Sequence, residues 1–179
     1  MKYPDIFLRA FAYLMNNEGY YSDDPNDAGG KTKYGISSRF LKQSFKKGSL
    51  YVDLDGNGKI DDNDIYVMNI EHAKHIYFLE FWKKVEKIKH PELSIKLFDT
   101  AVNIGHKKAI KILQQIVGTT QDGLIGNQTI SAIESQNANK ILQDYCNEQA
   151  LYYYKVAFYN KPRSDKFLNG WLNRAKKLP

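Results

Sequence analysis

Residues 18–36 read EGYYSDDPNDAGGKTKYGI. They follow a segment patterned as an apolar helix, and they are polar and rich in glycine. A connector between helices needs only a few residues, and this one is far longer. Glu18 stands at the expected C-terminal end of the first helix, where the helix dipole is negative and disfavours a second negative charge. Leu14, Met15, Tyr20 and Tyr21 bring apolar surface beside it in sequence. Both effects raise a carboxyl pKa. A carboxylic acid that stays protonated near neutral pH is what protonation of a glycosidic leaving oxygen requires. Taken alone, a glutamate that ends a helix and stays solvated is the plainer reading.

Outward from this stretch, helical periodicity dominates. Phe7, Ala10, Phe11 and Leu14 form one stripe of a helix from about Pro4 to Asn17. A second helix is expected over Ser38–Lys47, stopped by Gly48. Asn69 is placed to cap a third, with Ala73, Ile76, Tyr77 and Phe81 facing inward. Pro91 opens a fourth, carrying Leu93, Leu97, Ala101 and Ile104 to Gly105. A fifth ends at Gly118, which suits a left-handed cap. TTQDGLIGNQT is a turn into a short helix with Ile130 and Ile133. A long helix spans about Ala138–Tyr159, Pro162 breaks the pattern, and a last helix reaches Lys177. No alternation is long enough for an extended sheet, and only a short hairpin near Thr32–Ser37 is expected. The fold class is mainly α.

The totals narrow the classes. The chain has 179 residues, 42% apolar and 26% charged, with a net charge of +6. Such a basic balance attracts polyanions, but no nucleic-acid motif accompanies it, and the lysines are spread as on a solvated surface. The single cysteine, Cys146, forms no internal disulfide and falls in a helical pattern as a small core residue. The N-terminal segment MKYPDIFLRAFAYLMNNEG is interrupted by Asp5 and Arg9 and does not read as a signal peptide. No stretch is long enough to span a membrane. The expectation is a monomer made in the cytoplasm, without membrane insertion or nucleic-acid partner. If it works outside, a separate pore or lysis must release it.

DLDGNGKIDDND, residues 53–64, has the spacing of an EF-hand-type calcium loop. Such loops place oxygen ligands at positions 1, 3, 5, 7, 9 and 12, with glycine at 6. Here these are Asp53, Asp55, Asn57, the Lys59 carbonyl, Asp61 and Asp64, with Gly58 at the turn and Ile60 apolar at position 8. Asp64 stands where glutamate is usual. The crowded carboxylates would repel each other without a cation. A structural Ca²⁺ joining the second and third helices is expected, with no cofactor for catalysis.

The motif E-G-x-Y followed by D-P-x-D-x-G-G-x-T-x-Y-G-I is carried by Glu18, Gly19, Tyr21, Asp24, Pro25, Asp27, Gly29, Gly30, Thr32, Tyr34, Gly35 and Ile36. It resembles the catalytic signature of glycoside hydrolase family 108 lysozymes, which include phage endolysins and bacterial muramidases. The resemblance continues through IEHAKHIYFLEFW (Ile70–Trp82), LFDTAVNIG (Leu97–Gly105), QDGLIGNQT (Gln121–Thr129) and FLNGWLNR (Phe167–Arg174). It implies a lysozyme-like helical fold that cuts the β-1,4 bond between N-acetylmuramic acid and N-acetylglucosamine. Its C-terminal half would be of peptidoglycan-binding type. It also implies Glu18 as general acid, with Asp27 and Thr32 similar to the aspartate and threonine that position a water in phage lysozymes.

Asp23 and Asp24 compete for the second carboxylate, though they read as turn-makers beside Pro25. Tyr34 and Gly30 are candidate saccharide contacts. Two departures stand out: Tyr20 replaces the family's second glycine, and the calcium loop is an insertion. One compact domain over 1–179 is expected, with a catalytic half (1–90) and a helical wall-binding half (91–179). The alternatives are a lytic transglycosylase using the same glutamate, a non-catalytic wall-binding module held by calcium, and a basic nucleic-acid binder.

Overall fold

A computed structural model of the chain describes residues 2–17, 21–22, 31–159 and 165–179. It is mainly helical, with a small antiparallel sheet, as the periodicity predicts. The chain divides into two compact units: Met1–Ala10 with Phe81–Pro179, and Phe11–Glu80. No helix among the described residues is long and apolar enough to cross a membrane.

In the Phe11–Glu80 unit, the end of helix α1 (Asp5–Met15) is followed by strands β1 (Tyr21–Ser22), β2 (Thr32–Lys33) and β3 (Ile36–Ser37). The strands pair in the order β1-β2-β3, with Lys33 opposite both Tyr21 and Ile36. The expected hairpin is thus present, with one strand more than the sequence suggested. Ser37 then caps α2 (Ser38–Lys46), its hydroxyl accepting from the Phe40 N–H at 3.2 Å. A 3₁₀ turn, Leu50–Val52, leads to the acidic loop and to α3 (Asp62–Val67), a short helix that begins inside the stretch whose spacing predicts a loop as far as Asp64. Its signal is a capping box: Asp61 caps the N-terminus, and Asp64 reaches back to the Asp61 N–H at 2.9 Å. Asn69 accepts from the His72 N–H at 2.9 Å and opens α4 (Ile70–Glu80) as expected. That helix stops one residue before Phe81, which is only half-buried, while Trp82 is the buried residue of the following 3₁₀ turn. Ala73, Ile76, Tyr77 and Phe78 of α4 join Phe11, Leu14, Leu41 and Ile65 among this unit's buried residues.

The other unit is built on α5 (Pro91–Ile104), α6 (His106–Val117), α7 (Asn127–Glu134), α8 (Ala138–Tyr159) and α9 (Asp165–Lys176). Every residue from Leu93 to Ala101 is buried, so α5 is enclosed on all sides, as a central helix must be. Helices α6 and α8 both pack against it, and α9 packs on α8. Phe7, Trp82 and Phe98 meet with ring centroids 5.7–6.1 Å apart. Gly118 ends α6 in the left-handed conformation the sequence implies, and Cys146 is buried.

The two charged side chains enclosed on α5, Lys96 and Asp99, both have partners. Lys96, fully buried, donates to the carbonyls of Arg174, Ala175 and Lys177 at 2.7, 2.8 and 2.9 Å. All three ammonium hydrogens are used, on carbonyls at the end of α9 that have no helical partner. Burial pushes the Lys96 pKa down from its ordinary value. Beside it, Arg174 grips the fully buried Asp99 carboxylate with hydrogen bonds of 3.0 and 2.9 Å and its backbone carbonyl at 3.3 Å. At the turn after α6, buried Gln114 accepts from the Gly123 N–H at 2.9 Å and donates to Asp122 at 2.7 Å. That hydrogen bond is the leading reason the Asp122 pKa lies below the usual carboxylate range.

Lys96→Met keeps the packing volume but removes the donors. We expect a loss of about 2–4 kcal/mol of stability, read as a lower urea midpoint, because buried carbonyls lose charge-assisted partners. An unchanged midpoint would mean that water replaces the ammonium at no cost.

Candidate functional site

The signature stretch is described from Lys31 onward, apart from β1. Glu18, Asp27 and Gly30 lie outside the described residues, as do the competing Asp23 and Asp24. Thr32 lies half-buried in β2, opposite Ser22 and Ser37. Tyr34 and Gly35 form the two-residue turn between β2 and β3, with φ of +52° and +76°. Two positive φ values in succession are the requirement of a type I′ hairpin turn, which matches the twist of the strands. Glycine meets it without strain, whereas a tyrosine does not. Tyr34 is the one non-glycine residue with positive φ among the described residues. Its carbonyl is held by the hydroxyl of Tyr77 on α4, which donates at 2.9 Å.

Two lysines tie the hairpin to α3. Lys31 pairs with Asp62 at 3.2 Å, and the Lys33 ammonium donates to the Tyr66 carbonyl at 3.0 Å. The entrance to the acidic loop is fixed separately. Glu80 accepts from the Ser49 and Tyr51 hydroxyls, each at 2.8 Å. Burial is the main cause of the raised Tyr51 pKa. Sequence reasoning missed Glu80, because its partners lie 29 and 31 residues earlier and no local pattern marks it.

Within the loop, carboxylate oxygens of Asp53, Asp55 and Asp64 come within 4.8 Å of one another. Gly56 and Gly58 take positive φ of +72° and +82°, folding the backbone around them. Asp53 accepts from the Gly58 N–H at 2.8 Å, and Asp55 accepts from Asn57 and Asn63 side-chain amides at 2.9 and 2.6 Å. Asp64 is fully buried, and its two oxygens accept from the N–H groups of Leu54 and Asp61 at 2.7 and 2.9 Å. Asp61 lies outside this trio: it caps α3 and pairs with the Lys59 ammonium at 3.0 Å. That lysine is the first cause of the lowered Asp61 pKa. The Asn57 side-chain oxygen accepts from the Lys59 N–H at 3.0 Å. An all-oxygen donor set of this kind suits a hard divalent cation.

Two histidines of α4, His72 and His75, lie three residues apart on the helix. His72 accepts from the Asn69 N–H at 3.4 Å, and His75 packs edge-on to Tyr51 with centroids 5.6 Å apart.

Comparison with known proteins identifies the framework. The family model described as glycosyl hydrolase 108 matches residues 11–105, more than half of the 179 residues. The chain belongs to glycosyl hydrolase family 108. Residues 108–176 match a second model, described as a predicted peptidoglycan domain. A solved structure, described as that of Brucella abortus SagA, superposes with a TM-score of 0.71 at 24% identity and covers 97% of both chains. It shows a shared fold. No curated protein sequence matches this chain. This family 108 member is a glycoside hydrolase that acts on peptidoglycan.

The turn offers a test that separates structure from activity. Tyr34→Gly relieves the positive-φ strain and should raise stability by about 0.5–1 kcal/mol. If the tyrosine ring contacts the saccharide, wall lysis falls in the same variant. Tyr77→Phe should cost about 1 kcal/mol by removing the hydroxyl that holds the turn. Chemical denaturation and turbidity clearing, run in parallel, read both effects.

Proposed function

We propose that the chain is a lysozyme that hydrolyses the β-1,4 bond between N-acetylmuramic acid and N-acetylglucosamine, with Glu18 as the general acid. The observation that carries the reading is the match of residues 11–105 to glycosyl hydrolase 108, a span that contains the whole acidic signature. Glu18 follows the end of α1, at Met15, by three residues. In this scheme Glu18 protonates the leaving oxygen as the glycosidic bond breaks. Asp27 and Thr32 orient or activate the water that attacks the anomeric carbon, and Tyr34 and Gly30 contact the sugar. Catalysis belongs to the N-terminal half and wall binding to the helical C-terminal half.

A lytic transglycosylase is the competing reaction for the same glutamate. There the C6 hydroxyl of the muramic acid attacks in place of water, and the product is lighter by one water. Purified peptidoglycan treated with wild type and Glu18→Gln decides both points. We expect clearing to fall by at least a hundredfold in the variant, and wild-type products with free reducing ends by mass spectrometry. Unchanged clearing by Glu18→Gln would remove this residue from the mechanism.

We further propose that Asp53, Asp55, Asn57, the Lys59 carbonyl, Asp61 and Asp64 hold a structural Ca²⁺. Support comes from the buried Asp64 carboxylate close to two others, an arrangement that is costly without a cation. Asp61, turned to the α3 N-terminus, would act through a water, as position 9 often does. Calcium at a hundredfold excess over its dissociation constant would add about 2.7 kcal/mol to stability. Chelator should therefore lower the melting midpoint of wild type and leave that of Asp55→Ala unmoved. Equal midpoints for wild type with and without chelator, and no calcium in the purified protein, refute the site.

A further inference from the structure

Helices α6 and α8 border a groove of about 430 Å³ that the catalytic reading does not use. Its size is that of a small-ligand cleft. Lys108 and Lys111 line it from α6 and Lys155 from α8, against one carboxylate, Glu148. Among the described residues, no ion pair holds any of these three lysines, whereas Lys89 and Lys140 pair with Glu134 and Asp144 at 2.8 and 3.1 Å. Like charges gathered in a cleft focus a positive potential into it. The apolar part of the lining is aromatic: Tyr152 is half-buried, and Tyr159 is 80% exposed. Lys108 lies 5.7 Å from the centre of the Tyr152 ring. Gln115 and Gln121 add exposed amides, able to donate and to accept.

A ligand that satisfies this lining carries carboxylates, amides and a flat apolar face together. Peptidoglycan has all three: acidic peptide side chains, N-acetyl groups, and sugar faces that stack on aromatic rings. The peptidoglycan-domain match, residues 108–176, contains every residue of the lining. We propose that the α6–α8 groove is a peptidoglycan-binding site that recognises the carboxylates of the peptide side chain, with Lys111 and Lys155 as their counter-charges and Tyr152 as the platform for a sugar ring. The inference rests on the reading of the chain as a peptidoglycan-degrading enzyme and gives that reading a place on the wall-binding half.

The test uses the full chain and a soluble probe, the N-acetylglucosaminyl–N-acetylmuramyl disaccharide bearing its tetrapeptide. Binding is followed by calorimetry and by the tyrosine ring resonances. Wild type should bind saturably, more weakly as salt rises, with the Tyr152 ring resonances shifted. Lys111→Glu with Lys155→Glu should lose at least tenfold in affinity at an unchanged melting midpoint, and the double arginine variant should keep it. The disaccharide without peptide should bind at least tenfold more weakly to wild type. The proposal is overturned if the charge-reversed protein binds like wild type, if the peptide-free disaccharide binds equally well, or if a short duplex oligonucleotide displaces the probe at the same concentration as unlabelled muropeptide. Glu18→Gln separates this result from the catalytic one. Retained binding with lost cleavage supports both assignments. Unchanged cleavage in that variant removes the general acid and leaves the groove standing.

Discussion

The enclosure of α5 is the constraint on which the C-terminal helices depend. A helix buried on every side can accept few polar groups, yet this one carries Lys96 and Asp99. Each is tolerable only because a partner arrives from α9: three backbone carbonyls for the lysine and the Arg174 guanidinium for the aspartate. The same contacts that neutralise the interior therefore fix the last helix. Helix α9 then packs on α8 through Leu172 and Ala175 beside Tyr153, with Trp171 stacked on the Tyr153 ring at 5.6 Å. The position of α8, and with it the aromatic and basic lining of its groove with α6, follows from where two charged side chains are hidden.

In the other unit the corresponding organisation is local and polar. The hairpin that carries Thr32 and Tyr34 is held from one side by the Tyr77 hydroxyl and from another by the two lysine contacts to α3. Because α3 is also the exit of the acidic loop, through Asp61 and Asp64, the metal-type loop and the hairpin share one short helix. The loop reads as an insertion in sequence, but it is wired into the segment that bears the signature.

Much of this was legible in the chain. Pro91, Gly105, Gly118 and Asn69 mark helix ends by local backbone chemistry, and the short hairpin expected near Thr32–Ser37 is present. The acidic trio was also visible, because ligand spacing is a local property. Helix α3 is hard to read from sequence because Asp61 and Asp64, which match a metal-loop spacing, also form its capping box. Lys96 was invisible as a core residue: its partners lie 78–81 residues away, and its spacing on α5 looks like that of any surface lysine. The groove lysines were read as solvated charge for the same reason, since only the packing of α6 against α8 gathers them. The tyrosine hydroxyl that steadies Tyr34 acts across 43 residues and leaves no local trace.

The division of the chain has a consequence for how the protein is made. The unit built on α5 takes residues before Ala10 into its aromatic cluster, through Phe7, and takes its final polar contacts from residues 174–177. The hydrogen bonds and ion pair described for the hairpin and the acidic loop of the Phe11–Glu80 segment lie within it, so their partners are present once residue 80 has left the ribosome. Its neighbour needs both ends of the polypeptide, and contacts of such sequence separation are slow to form. During synthesis the early unit can close first, while α5 waits with its lysine and aspartate unpartnered until the last turn of α9 emerges. A nascent chain arrested before Arg174 would hold the short sheet and helices α2 to α4, attached to a helical half with no way to seal its interior.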